Sequence, residues 1–394
     1  DWERYRRLFW DVGVSAAIPV SSLSWLGQGL QPSYPSAINV RGNWQARAIQ
    51  AGAARNPLRG LLRIPDFVYV VSIVLSFLAV LFMFDAVSGE KEDGTLRLML
   101  SNPVPRHTVL LGKWIGGSVV LLVPFLLAAA GALLYARLAG VLLPEDLGRV
   151  GLVIVVACLY IAVFLNMALF VSTLTHRAST ALLACLLIWV LFILVIPNLA
   201  PVTARILEPT PPLETVQAEK RAVDQEMDLK IRRLTLTSGE LAYGQRIKDE
   251  TEKLERERDR RKNQWDQYYK DSLARQADLA QTLGRISPSA CWTFAALSLT
   301  RTGPADHLEL KNARDAFSAD LEHLRTRLRA NVKPHQESVG WSVVKEEDIP
   351  VLRIRHVPTA TAVAEALDDI LVLVILSVLF FMMAFMRFLR YDVR

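Results

Sequence analysis

Hydrophobic and polar positions along this chain are gathered into long blocks, not mixed evenly. Five apolar runs, near 66–84, 114–137, 150–174, 179–199 and 368–386, approach or exceed the roughly 17–25 residues that a helix needs to cross hydrocarbon. Between the fourth and fifth lies the opposite kind of sequence. From Leu213 to Gly284 there is no proline, and Glu, Lys, Arg, Gln and Leu dominate, a helix-forming composition. Asp249 with Lys253, Glu252 with Arg256 and Glu257 with Arg261 stand at i,i+4 with the acid first, the favourable order. The pattern predicts one long exposed helix there, or two broken near Ser238-Gly239. A further helix is expected from about Asp306 to Val332, with Leu310, Phe317, Leu321, Leu324 and Leu328 as its apolar stripe, and Tyr243, Ile247 and Leu254 could face it in a loose coiled hairpin.

The expected fold is therefore an all-α polytopic membrane protein with five visible spans and a long helical hairpin. Its parts are an N-terminal segment over 1–65, membrane helices over 66–199 with a polar connection over 85–113, an insertion over 200–366, and a last span with its tail over 367–394. Prolines and glycines at 19, 27, 29, 32, 35 and 42 interrupt the N-terminal segment, leaving a helix expected at 2–10 and a short surface helix over 46–55. Asp66, directly after Pro65, is placed to cap the first span. The less polar stretch from Ile286 to Leu299 has two readings. Trp292 and Phe294 could sit among lipid headgroups, or the stretch could pack as ordinary core.

Charge orients the spans. Lys91, Arg97, Arg106 and Lys113 in the 85–113 connection, His176 and Arg177 in the 175–178 turn, and Arg387, Arg390 and Arg394 in the tail fall on one side of a five-span scheme. The opposite turn, 140–148, holds Glu145 and Asp146, with Arg137 and Arg149 flanking it. Positive loops face the cytoplasm, so 1–65 and 200–366 are expected outside it. Because the chain starts at Asp1, an unseen first span, giving six, or a cleaved signal peptide would account for an outside N-terminus.

Composition removes several function classes. The chain is 52% hydrophobic and 21% charged with a net charge of +6, yet no basic patch carries interleaved aromatics, so nucleic acid is not an expected partner. Cys158, Cys185 and Cys291 form no visible disulfide framework or metal set, and His107 and His176 show no HExxH spacing. Ionisable residues near the spans, Asp85, Asp368 and Asp369, read as border positions. No GxxxxGK[ST] phosphate loop is present, so the chain is not expected to be an enzyme or to hold a cofactor of its own.

The most informative stretch is the polar one between the first two spans, Ser88-Gly89-Glu90-Lys91-Glu92-Asp93-Gly94-Thr95-Leu96, continued by Leu98 to Arg106 and Leu111-Gly112-Lys113-Trp114. It resembles the first cytoplasmic loop of permease subunits of ABC-2 type transporters. Within them it is similar to the branch associated with multi-copper enzyme and nitrous-oxide reductase maturation. The family pattern of a glutamate, Gly-Thr, a basic residue and Gly-Lys falls on Glu90, Gly94, Thr95, Arg106, Gly112 and Lys113. The resemblance implies an inner-membrane subunit that pairs with a second permease copy and docks a separate cytoplasmic ABC ATPase, which binds the ATP and Mg. Glu90, Glu92, Asp93 and Arg97 are then expected to make charge-assisted contacts to that ATPase, with Gly94 allowing close approach or a bend, Thr95 beside it, and Arg106 and Lys113 as further candidates.

The size of the 200–366 insertion leaves the output open. An ATP-driven exporter handling an envelope substrate is the first reading, with an extracytoplasmic protein or lipid as a possible partner. A mechanotransmitting subunit, acting on an outside protein without moving solute, is the second. A non-energised membrane anchor is the third, and it leaves the acidic connection unexplained.

Overall fold

The computed structural model describes residues 14–17, 21–29, 37–40, 46–49, 65–101, 104–237, 245–330, 350–352 and 358–391. Among these residues five helices are long and apolar enough to span a membrane, Phe67–Glu92, Arg106–Leu138, Pro144–Leu174, Ala178–Leu207 and Thr359–Leu389. Each apolar run of the sequence lies in one of them. The chain divides into two compact units, one formed by 1–193 with 288–394 and the other by 194–287.

In the first unit, strands β1 (Val14–Ala17), β2 (Ala37–Val40) and β3 (Ala46–Ile49) form an antiparallel sheet in the order β1-β2-β3, with Val14 opposite Val40 and Ala37 opposite Ile49. This corrects the expected surface helix over 46–55 at residues 46–49, the rest of which lies outside the described residues, as does the helix expected at 2–10. Alanine favours a helix only by tenths of a kcal/mol per residue, and a neighbouring strand that satisfies the backbone outweighs such a preference.

Helix α1 (67–83) starts at Asp66, whose Oδ1 accepts the Tyr69 N–H at 2.8 Å, as its position after Pro65 predicts. Val70–Leu75 is wound as a π-turn, which misaligns backbone groups inside hydrocarbon. Side chains from other helices reach α1 within and beside this turn. Tyr160 donates its hydroxyl to Ser72 O at 2.8 Å, Trp292 Nε1 donates to Val68 O at 3.1 Å, and Trp189 Nε1 donates to Ser76 Oγ at 2.9 Å.

After α1 come α2 (Ser88–Glu92), α3 (Thr95–Ser101), α4 (Arg106–Leu138), α5 (Leu147–Leu174) and α6 (Ala178–Leu207). Two-thirds of the span containing α5 is buried, against a third or less for the others, so α5 is the axis of the bundle. It packs most extensively against the last helix, which is α11 once the intervening four are counted in chain order. Asn166, 3% exposed in the middle of α5, accepts the Trp114 Nε1–H at 2.6 Å and donates to Ser377 O at 3.0 Å and Ser377 Oγ at 2.9 Å, binding α4 and α11 (Thr359–Leu389) to one side chain.

The stretch at 286–299 is core. Pro288–Thr300, helix α9, buries Cys291, Trp292, Ala295, Ala296 and Leu299 completely against α5 and α11. Trp292 stacks on Tyr160 with centroids 5.8 Å apart and meets Phe67 edge-on at 6.4 Å, so the headgroup reading fails for it. Asp369, on α11, is likewise buried within the protein. Helix α10 (Pro304–Ala330) follows, with Phe317 and Leu321 buried as its stripe predicts.

The second unit contains α7 (Leu213–Thr237) and α8 (Gln245–Gly284), so the charged run is broken into two helices as one of the sequence readings expected. Ion pairs Lys220–Asp266 at 2.8 Å, Asp224–Lys262 and Glu226–Arg261 at 2.9 Å and Asp228–Arg258 at 3.5 Å step antiparallel down the two helices. The partner of α8 in this unit is therefore α7, which the sequence reading had passed over for the stretch after 306. Of the intrahelical pairs, Glu252–Arg256 closes at 2.7 Å, whereas Arg261 turns across to Glu226. Hydrogen bonds from Lys230 and Arg261 hold the exposed Glu226 carboxyl below the usual carboxylate range. Tyr243 lies outside the described residues.

Asn166→Leu is expected to lower stability by about 1–2 kcal/mol, the upper range for an interhelical hydrogen bond in a bilayer. Unfolding in mixed micelles measures it, and with Trp114→Phe the double variant should fall short of the sum of the two single losses.

Candidate coupling site

The polar connection between α1 and α4 folds into two short helices separated by Asp93 and Gly94. Gly94 adopts φ +73°, and a Cβ there would meet nothing within 4 Å. Within the chain it serves the bend, since the left-handed conformation costs other residues roughly 1–2 kcal/mol. Pro105 then holds an extended backbone, φ −61° and ψ 134°, and launches α4 at Arg106.

Helix α2 is seated on the ends of three other helices. The Val87 and Ser88 N–H groups donate to Ser172 Oγ at 3.0 and 2.9 Å, which provides for donors that a buried helix start would otherwise orphan. Lys91 donates through Nζ to Thr173 O at 2.6 Å and Thr175 O at 3.0 Å, carbonyls at the negative end of α5, and lies 5.1 Å from the Tyr391 ring centre. The Glu92 carboxylate accepts the Ala178 N–H at 2.8 Å, placing negative charge at the positive end of α6.

The remaining charges brace the same region. Glu90 Oε1 pairs with Lys113 Nζ at 2.5 Å, and that amine also donates to Ala86 O at 2.6 Å. Arg106 donates to Leu389 O and Tyr391 O, both at 2.8 Å, closing the end of α11. Glu90, Glu92, Arg106 and Lys113 thus make contacts within the chain. Asp93, Gly94, Thr95 and Arg97 are exposed together, and between them the α3 side chains divide sharply. Leu96 is fully buried, whereas Leu98 is 73% exposed, a bare apolar knob on a charged surface.

Sequence reasoning passed over Ser172, Lys91, Tyr391 and Leu98 as site residues. Nothing local marks Ser172 or Tyr391, which lie 84 and more positions from their α2 partners. Leu98 carried a signal, since a second leucine two residues after Leu96 falls on another face of a helix. No group of three or more metal-ligating side chains occurs among the described residues, and His107 is exposed on the first turn of α4.

Comparison with known proteins bears on what such a clamped connection belongs to. The model of the ABC-2 family transporter protein matches residues 22–393, nearly the whole chain. The chain belongs to the ABC-2 transporter family. It is similar to the probable ABC transporter permease protein NosY of Stutzerimonas stutzeri, 34% identical over 150 residues that make up 36% of this chain and 54% of that protein. The protein of the same name from Pseudomonas aeruginosa is 34% identical over 152 residues, with the same coverage. The chain thus spans about half the length of these curated relatives. This ABC-2 protein is a multi-pass membrane protein, with five apolar helices long enough to cross a bilayer among the described residues.

In the ABC-2 protein, Gly94→Val is expected to lower the stability of the α2–α3 segment by about 1–2 kcal/mol, with Gly94→Asn losing less because Asn tolerates the left-handed region. Hydrogen exchange across 88–101 should rise in the order wild type, Asn, Val, while exchange in α5 stays unchanged.

Proposed function

We propose that this chain is the membrane subunit through which a separate cytoplasmic ABC ATPase drives the handling or export of an envelope substrate. The surface built from Asp93, Gly94, Thr95, Arg97 and Leu98 is where that ATPase docks. The supporting observation is the seating of α2: its side chains and backbone are tied to the end of α5, the start of α6 and Lys113 of α4, and Arg106 ties the start of α4 to the end of α11, so a push on Leu98 is passed to these helices together. A loose loop would absorb the same push. Leu98 supplies the apolar anchor, Asp93 and Arg97 the charge-assisted rim, and Glu90, Glu92, Arg106 and Lys113 hold the platform.

On this reading α2 and α3 face the cytoplasm, consistent with Lys91, Arg97, Arg106 and Lys113. The insertion then lies outside. The ATPase carries the ATP and Mg, a second copy of the permease completes the transmembrane part, and this chain performs no hydrolysis. Leu98→Asp is expected to cut co-purification of the cognate ATPase at least about tenfold, equivalent to 1.4 kcal/mol, without loss of membrane insertion. Undiminished association would overturn the assignment.

The ion-paired hairpin favours a second reading of the output, in which the subunit acts mechanically on an extracytoplasmic protein. Two helices cross-linked by four ion pairs make a stiff arm. Because Asp224 and Lys262 are 2.9 Å apart, replacing 225–261 with a short Asn-Gly turn removes the far part of the arm and leaves its base closed. Mechanical action predicts loss of the biological output with ATPase association and ATP turnover intact. Retained output in the shortened protein would leave export as the reading.

A further inference from the structure

Where α1 begins, an open cleft of about 680 Å³ lies between its first turns and the outer face of α9. Pro65, Val68, Phe294, Leu297 and Pro304 give it apolar walls, and Ser72 and Thr293 add hydroxyls. The volume falls within the roughly 300–1,000 Å³ of small-ligand sites. Its depth is fixed by sequence, since Asp66 is the last residue before the span and Tyr69, 54% exposed, is in its first turn. The cleft therefore opens at the boundary between headgroups and hydrocarbon.

The walls are held in place by the chain itself. Leu26 O accepts the Val68 N–H at 3.1 Å, Gln28 N donates to Asp66 Oδ2 at 3.0 Å, and Ser21 Oγ donates to Thr300 O at 2.8 Å, tying the 21–29 turn to both helices. Gly29, at φ +47°, approaches so closely that a Cβ would lie 2.4 Å from Thr302 O. Among the described lining residues Asp66 is the one charged side chain. Its carboxylate accepts from the Tyr69 and Gln28 N–H groups, and about four lone-pair sites leave room for another donor. A carboxylate at the mouth of an apolar cleft matches an ammonium.

We infer that this cleft binds a phospholipid of the surrounding bilayer, with one acyl chain against Val68, Phe294 and Leu297 and an amine-bearing headgroup at Asp66. The site does not depend on ATPase docking. It is tested with the full chain in phosphatidylcholine nanodiscs doped with phosphatidylethanolamine carrying a diazirine on its acyl chain, followed by peptide mapping after irradiation. Labelling is expected in 293–297 and to fall roughly fivefold or more, about 1 kcal/mol, in the cleft-filling variants Thr293→Trp and Ser72→Phe. Asp66→Asn, which keeps a capping side chain, should shrink the preference for the ethanolamine probe over a phosphatidylglycerol probe. Monodisperse elution establishes that each variant is folded, and either filled variant suffices. Unchanged labelling in a folded filled variant, equal labelling by the phosphatidylglycerol probe, or labelling by a diazirine fatty acid in place of the phospholipid would overturn the inference.

Discussion

The structure depends on one constraint of its solvent: inside hydrocarbon a polar group must find its partner within the protein. Apolar burial does little to select among helix arrangements there, because lipid is as apolar as leucine. The polar contacts therefore fix the helices' positions. Asn166 sets α4 and α11 against α5, Tyr160 meets a carbonyl of the π-wound part of α1 and Trp292 one just before it, and Trp189 reaches Ser76. All are few, buried and directional, so each specifies a position that close packing alone would leave free to slide.

The same logic governs the membrane border, where charges do the work of caps. Lys91 lies at the carbonyl end of α5, Glu92 at the amide end of α6 and Arg106 at the carbonyl end of α11, each with the sign that the helix dipole favours. One short segment thereby joins three helix ends. On the same surface Leu98 stays exposed while Leu96, two residues before it, is buried.

The insertion shows two different solutions to stability within one stretch of sequence. The hairpin of α7 and α8 is held largely by cross-helix ion pairs, individually worth little at an exposed surface but acting together as a ladder. Helix α9, directly after it in sequence, is instead packed into the aromatic core through Trp292. A deletion spanning the whole insertion would therefore remove part of the membrane core along with the arm.

By itself the sequence determined the five spans and the capping of α1 by Asp66, because each rests on periodicity or on neighbours a few residues apart, whereas it left the charged run open between one helix and two. The family pattern over Glu90 to Lys113 was legible for the same reason. The tertiary structure decided which of those charges face outward, since Ser172, Ala178, Leu389 and Tyr391 are tens to hundreds of positions away and only folding brings them to α2 and α4. It decided the burial of Trp292 as well, because a mostly apolar 13-residue stretch suits a lipid interface and a protein interior equally until α5 and α11 supply the walls. At residues 46–49 it overrode local preference outright, because pairing with β2 satisfies the backbone more fully than alanine's small helical advantage can.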